Sequence, residues 1–167
     1  MLSKHLTLVL GGARSGKSRH AEALVTRSPP PWRYIATAQA YDDEMRARIA
    51  THRASRPTGW DTVEAPLDLA QALATPHPVL VDCLTLWLTN VILADQDPEQ
   101  ATTTLDEALD ARQSPTVLVS NEVGLGIVPD NALARRFRDA AGILHQRLAA
   151  RADAVTLLVA GLPMKVK

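Results

Sequence analysis

Short runs of aliphatic and β-branched residues alternate along the chain with longer stretches whose apolar positions recur every three or four residues. Residues 5–10 (HLTLVL), 33–37 (RYIAT), 79–82 (VLVD), 116–120 (TVLVS) and 154–159 (AVTLLV) read as strands, with a short one over 62–64. The runs at 79–82 and 116–120 are almost continuously apolar, the pattern of parallel strands covered on both faces. Helical spacing begins near Lys17 and again over 42–55, where Asp42, Asp43 and Glu44 occupy the first turn favoured by the helix dipole. Pro66 suits the first position of a helix reaching about Ala74. Leu84, Trp87, Leu88 and Val91 predict another helix, residues 99–112 a further one, and Leu133, Phe137, Ala140, Ala141, Leu144 and Leu148 stripe the longest. This alternation predicts an α/β fold: a mostly parallel sheet with helices on both faces. No internal repeat or boundary interrupts it, and Pro29-Pro30-Pro31 reads as a loop, so residues 1–167 are expected to form a single domain.

Composition narrows the function classes. The 167 residues suit one domain of about 100–200 residues. Eighteen basic residues balance eighteen acidic ones, which argues against a general binder of nucleic acid or membrane surfaces. The balance is uneven, however. Residues 1–60 carry ten Lys/Arg against four Asp/Glu, and 61–167 carry eight against fourteen, so an anionic ligand is expected near the first third. The single Cys83 excludes an internal disulfide and reads as a small buried hydrophobe. The most apolar stretch, 79–93, is too short for a membrane span and holds Asp82 and Asn90. With no signal peptide at its start, the chain is expected to be cytoplasmic.

Gly11-Gly12-Ala13-Arg14-Ser15-Gly16-Lys17-Ser18 matches G-x-x-x-x-G-K-[ST] in full, between a strand and a helix. Such glycines let backbone N–H groups turn onto phosphate oxygens, and the helix N-terminus adds partial positive charge. Lys17 is expected to reach the β- and γ-phosphates and Ser18 to hold Mg2+. Asp82, ending an apolar strand, suits the other half of a nucleotide–Mg2+ site, or caps the helix starting at Leu84. The two roles are compatible. No N-K-x-D motif is present, and the only lysines are Lys4, Lys17, Lys165 and Lys167, which argues against a regulatory GTPase.

Two further segments carry candidate chemistry. Met45, Ile49 and His52 share one helix face, followed by Arg53 and Arg56 at i, i+3. His52 is a polar surface group, a hydrogen-bonded helix-end residue, or a nucleophile whose neighbouring arginines disfavour protonation and attract phosphate. Glu122, in the loop after the TVLVS strand, is a base, a ligand of Mg2+ through water, or part of a structural turn supplied by Gly124 and Gly126.

Taken together, GGARSGKS (11–18), YIAT (34–37), DDEM-x-x-RI-x-x-H (42–52), RP-x-x-W (56–60), VDCLTLW (81–87), NEVG-x-GIVP (121–129) and FRD-x-AG (137–142) resemble the bifunctional adenosylcobinamide kinase / adenosylcobinamide-phosphate guanylyltransferase family of cobalamin biosynthesis. The first motif is generic to nucleotide binders, whereas the DDEM…H and NEVG motifs are specific. The resemblance implies a three-layer P-loop NTPase-type fold and two reactions on a corrinoid small molecule. ATP or GTP phosphorylates adenosylcobinamide. GTP then donates GMP, through a histidine, to give adenosyl-GDP-cobinamide and pyrophosphate. By the same resemblance His52 is the guanylylated nucleophile, and Gly11 to Ser18, Thr37, Ala38, Gln39, Arg53, Ala54, Ser55, Arg56, Glu64 and Asp82 contact nucleotide. A homotrimer is implied as well. His145 is a departure, since family members tend to carry Asn there. Two other readings compete: a monofunctional kinase for another small alcohol, and an assembly module gated by nucleotide hydrolysis.

Overall fold

The computed structural model describes residues 5–167; the side chains of Arg48 and His52 lie outside the described set. The strands are β1 (Leu6–Gly11), β2 (Trp32–Ala36), β3 (Trp60–Glu64), β4 (Val79–Asp82), β5 (Thr116–Asn121), β6 (Ala154–Val159) and β7 (Leu162–Lys165). They form one sheet in the order β3-β2-β4-β5-β1-β6-β7. Neighbours from β3 to β6 are parallel, and only β7 runs antiparallel, against β6. The helices are α1 (Lys17–Val25), α2 (Asp43–Ala54), α3 (Leu69–Leu73), α4 (Leu84–Leu93), α5 (Pro98–Ala111) and α6 (Ala132–Arg151).

Alternation along the strands builds the three layers. Leu8, Ile35, Val81 and Leu118 face one side, where they pack with Leu84, Trp87 and Leu88 of α4, Leu105 of α5 and Leu144 and Leu148 of α6. Val9, Tyr34, Leu80, Val117 and Val119 face the other, against Ala21 and Val25 of α1. Side chains two residues apart share a face of a strand, so strands apolar on both sides demand cover on both.

Two expectations fail. The helix expected from Pro66 begins only at Leu69. Tertiary partners hold the preceding residues out: the Pro66 carbonyl accepts from Asn90 Nδ2 at 3.0 Å and the Leu67 carbonyl from Trp87 Nε1 at 3.0 Å. The sheet also does not close at β6. Ala160 and Gly161, at φ 51° and 79°, turn the chain back as β7. Positive φ at both central residues matches the twist of the flanking strands.

Candidate active site

The cradle is held from below and behind. Gly11 ends β1, where a Cβ would stand 2.5 Å from Ser15 Oγ and 2.9 Å from the Leu158 carbonyl, so only glycine fits. Gly16, at φ 92°, turns the chain into α1. The Ser15 carbonyl accepts from Gly161 N at 2.9 Å, so the β6–β7 turn braces the loop. Lys17 is buried, and its Nζ donates to the Gly12 carbonyl at 2.5 Å. Burial pushes its ammonium below the usual lysine range, and the nearby Asp82 carboxylate opposes that.

Ser18, on the first turn of α1, meets Asp82 although β5 lies between β4 and the β1 strand that leads into α1. Ser18 Oγ donates to Asp82 Oδ2 at 2.8 Å, and the Tyr34 hydroxyl donates to the same oxygen at 2.6 Å. Asp82 is not the cap of α4. That position is taken by Cys83, which offers no side-chain cap. Cys83 is buried and unpaired, as expected, and burial pushes its thiol up.

The other candidates cluster at the same sheet end. Ala36 is in register with both Glu64 and Asp82, which brings the carboxyl ends of β2, β3 and β4 level. In open α/β sheets ligands bind beyond those ends. Thr37 is fully buried; its Oγ1 donates to the Cys83 carbonyl at 2.6 Å and accepts from Cys83 N at 2.9 Å. Both capacities of this hydroxyl therefore serve the loop after β4. Gln39 Oε1 accepts from the Tyr41 hydroxyl at 2.5 Å. Arg56 stacks on Tyr34, its Cζ 3.3 Å from the ring centroid, and donates to Thr62 Oγ1 at 2.9 Å.

Helix α2 stands beside this group. Asp42 caps it, accepting from Met45 N at 2.7 Å. Met45 and Ile49 turn toward the sheet and line a cleft of about 220 Å³ with Tyr34, Ala38, Arg56 and Asp82. His52 lies on the last turn of α2; Arg53, Ala54 and Ser55 are exposed at its end. Glu122 N donates to the Gly11 carbonyl at 2.9 Å, and its Oε1 accepts from Gly124 N at 2.6 Å, closing the turn. A larger, mostly apolar cleft of about 680 Å³ opens between Gly12, Ser15, Glu122 and Leu125.

Sequence reasoning missed Tyr34 as a partner of Asp82. An aromatic residue inside a strand carries only a core signal. The single hint was the polar tip, which needs a partner when buried.

A family model described as cobinamide kinase / cobinamide phosphate guanyltransferase matches residues 7–166. The chain belongs to this family. It is therefore an enzyme of the family's two transfers, phosphorylation of cobinamide and guanylyl transfer to cobinamide phosphate. It is 53% identical over 167 residues to the bifunctional adenosylcobalamin biosynthesis protein CobP of Pseudomonas aeruginosa, covering 96% of each chain. It is 47% identical over 181 residues to the bifunctional adenosylcobalamin biosynthesis protein CobU of Salmonella typhimurium, covering 97% of this chain and 99% of that one. Among solved structures it resembles the flagellar accessory protein FlaH of Methanocaldococcus jannaschii, with a TM-score of 0.56 at 10% identity, over all of this chain and 80% of that one. A type III secretion ATPase aligns at a TM-score of 0.50 and 13% identity, over 94% of this chain and 51% of that one. These likenesses establish the three-layer P-loop NTPase fold. Among the described residues, no helix is long and apolar enough to cross a membrane.

Proposed function

We propose that residues 1–167 form one nucleotide-binding domain that carries out both transfers at neighbouring positions on the same sheet end. The observation that carries this reading is the joining of Lys17, Ser18 and Asp82 beside the cleft that α2 covers.

In the first transfer the hydroxyl of the aminopropanol arm of adenosylcobinamide attacks the γ-phosphorus of ATP or GTP, and the nucleoside diphosphate leaves. Lys17 and the inward N–H groups of residues 11–18 hold the β- and γ-phosphates, so catalysis here is alignment and charge stabilisation. Ser18 and Asp82 suit Mg2+: two hard oxygens 2.8 Å apart are the few protein ligands this ion takes while keeping waters and phosphate oxygens. When bound, Mg2+ neutralises charge developing on the phosphates. The acceptor arm reaches the cradle from the cleft beside Gly12 and Glu122.

In the second transfer a ring nitrogen of His52 attacks the α-phosphorus of GTP and pyrophosphate leaves. The phosphorus–nitrogen bond retains the transfer potential until the corrinoid phosphate oxygen displaces the histidine and takes the GMP. Arg53 and Arg56 offset charge on the attacked phosphate. Thr37, Ala38, Gln39, Ala54, Ser55 and Glu64 complete the nucleotide contacts. Reach between His52 and the nucleotide depends on closure of α2, as lids often do. The enzyme works as a cytoplasmic homotrimer, as the family resemblance implies; the exposed apolar side chains of Leu125, Ile127, Leu162 and Met164 support self-association.

Incubation with α-labelled GTP tests the pathway. Acid-labile, base-stable label on the wild-type protein and none on His52→Ala is the expected result, with phosphorylation of cobinamide still measurable in the variant. Label on His52→Ala, or label released only as GDP, would refute it.

A further inference from the structure

Tyr34 touches both halves of the site. It is buried in β2 at 3% exposure. Its hydroxyl shares Asp82 Oδ2 with Ser18, while one ring face carries the Arg56 guanidinium and Trp60 meets the ring edge-on at 5.8 Å. Arg56 follows α2 directly. Among the described residues its buried Nε has no hydrogen-bond partner, and the aromatic face and the bond to Thr62 seat this guanidinium.

We propose that Tyr34 is a positioning residue shared by the two transfers: its hydroxyl orients the Asp82 carboxylate, and its ring seats Arg56. The inference rests on the function proposed above and adds a residue to it. A carboxylate beside a metal is held by its own hydrogen-bond donors, and losing such a partner weakens metal binding. Ser18 is committed elsewhere once it serves as a metal ligand, and Tyr34 is then the donor that holds Asp82. A flat cation over a flat ring is likewise ordered without a directional bond, which leaves guanidinium N–H groups to address phosphate.

Two variants separate the roles. Tyr34→Phe removes the hydroxyl and keeps the ring; Tyr34→Leu removes both. Binding of Mn2+ with GDP, followed by electron paramagnetic resonance, reads the hydroxyl without turnover. Tyr34→Phe should raise the Mn2+ half-saturation roughly tenfold, the scale of lost second-layer partners of metals. Its phosphorylation rate should fall more than its formation of the acid-labile GMP label. Tyr34→Leu should add a loss of label of about tenfold, from misplacement of Arg56, which the Phe variant restores. Wild-type Mn2+ half-saturation in Tyr34→Phe would overturn the hydroxyl role. Equal loss of label in the Phe and Leu variants would overturn the ring role. Should Tyr34→Leu fail to melt cooperatively, Arg56→Lys decides the ring role, since an ammonium does not spread over the ring: loss of label with unchanged Mn2+ binding supports it, and full label overturns it. Wild-type protein that takes no label defeats the histidine pathway, and the Mn2+ measurement still decides the hydroxyl role.

Discussion

The phosphate cradle and helix α2 sit at the same end of the sheet, and they are held by different means. Ser15 and Lys17 are buried, Gly11 is wedged against Leu158, and the Gly161 amide ties the loop to the β6–β7 turn. In α2 every described residue is at least partly exposed, and the helix carries local bonds: the Asp42 cap, the Arg46–Asp43 pair and the Thr51 hydroxyl on the Ala47 carbonyl. Among its described residues, Met45 and Ile49 line the cleft against the sheet. Packing thus fixes in one geometry the part proposed to hold phosphate. Capping and two apolar side chains hold the part that carries the histidine, so changes there should stay local.

Substitutions can break that contrast, beginning with the largest effect. Lys17→Ala should lower cobinamide phosphorylation by roughly 10³-fold or more, the scale of a lost transition-state charge. A rate within about tenfold of wild type would leave the cradle without its cation. Gly11→Ala drives a Cβ into Ser15 Oγ and the Leu158 carbonyl. Overpacking of this kind costs about 1–3 kcal/mol, so the melting temperature should fall by several degrees together with phosphorylation. Asp42→Ala removes the cap of α2, worth about 1 kcal/mol locally. Formation of the GMP label should drop severalfold with global melting nearly unchanged; a large drop in melting temperature would show that α2 is part of the cooperative core.

The smallest effect lies behind the cradle. His145 Nε2 meets Ser120 Oγ at 2.7 Å in the core. Burial pushes this imidazole below its ordinary value, with Glu122 pulling weakly the other way. The unfolded chain therefore binds the proton first as pH falls below about 6.5. Stability is full above that point and is lost as pH drops toward and through the lower folded value. His145→Asn should flatten the acid-side fall of melting temperature, and an unchanged slope would place the titration elsewhere.

What the sequence disclosed was what is local. The cradle motif, the acids opening α2 and the apolar stripe of α6 depend on spacing along a few turns, and each stands where expected. Chain-distant demands were hidden. Pro66 looked like a helix start because the needs of Asn90 and Trp87 are not written near it. The bonds of the Thr37 hydroxyl to the backbone of Cys83, forty-six residues on, have no local signal either. Lys167 and β7 gave no periodic signal, because an edge strand exposed along its length has no buried face to pattern.

Strand order has a consequence for how the molecule is made. β1 pairs with β5 and β6, both synthesised long after it. At about 5–20 residues per second, on the order of ten seconds separate the making of β1 from that of its last partner. Until β5 is made, LTLVLG is an apolar strand with no lasting neighbour, the kind of segment that chaperones bind and that self-associates, and until β6 it keeps one open edge. A message cut short before β6 yields a chain that carries the complete phosphate motif on a strand with one open edge.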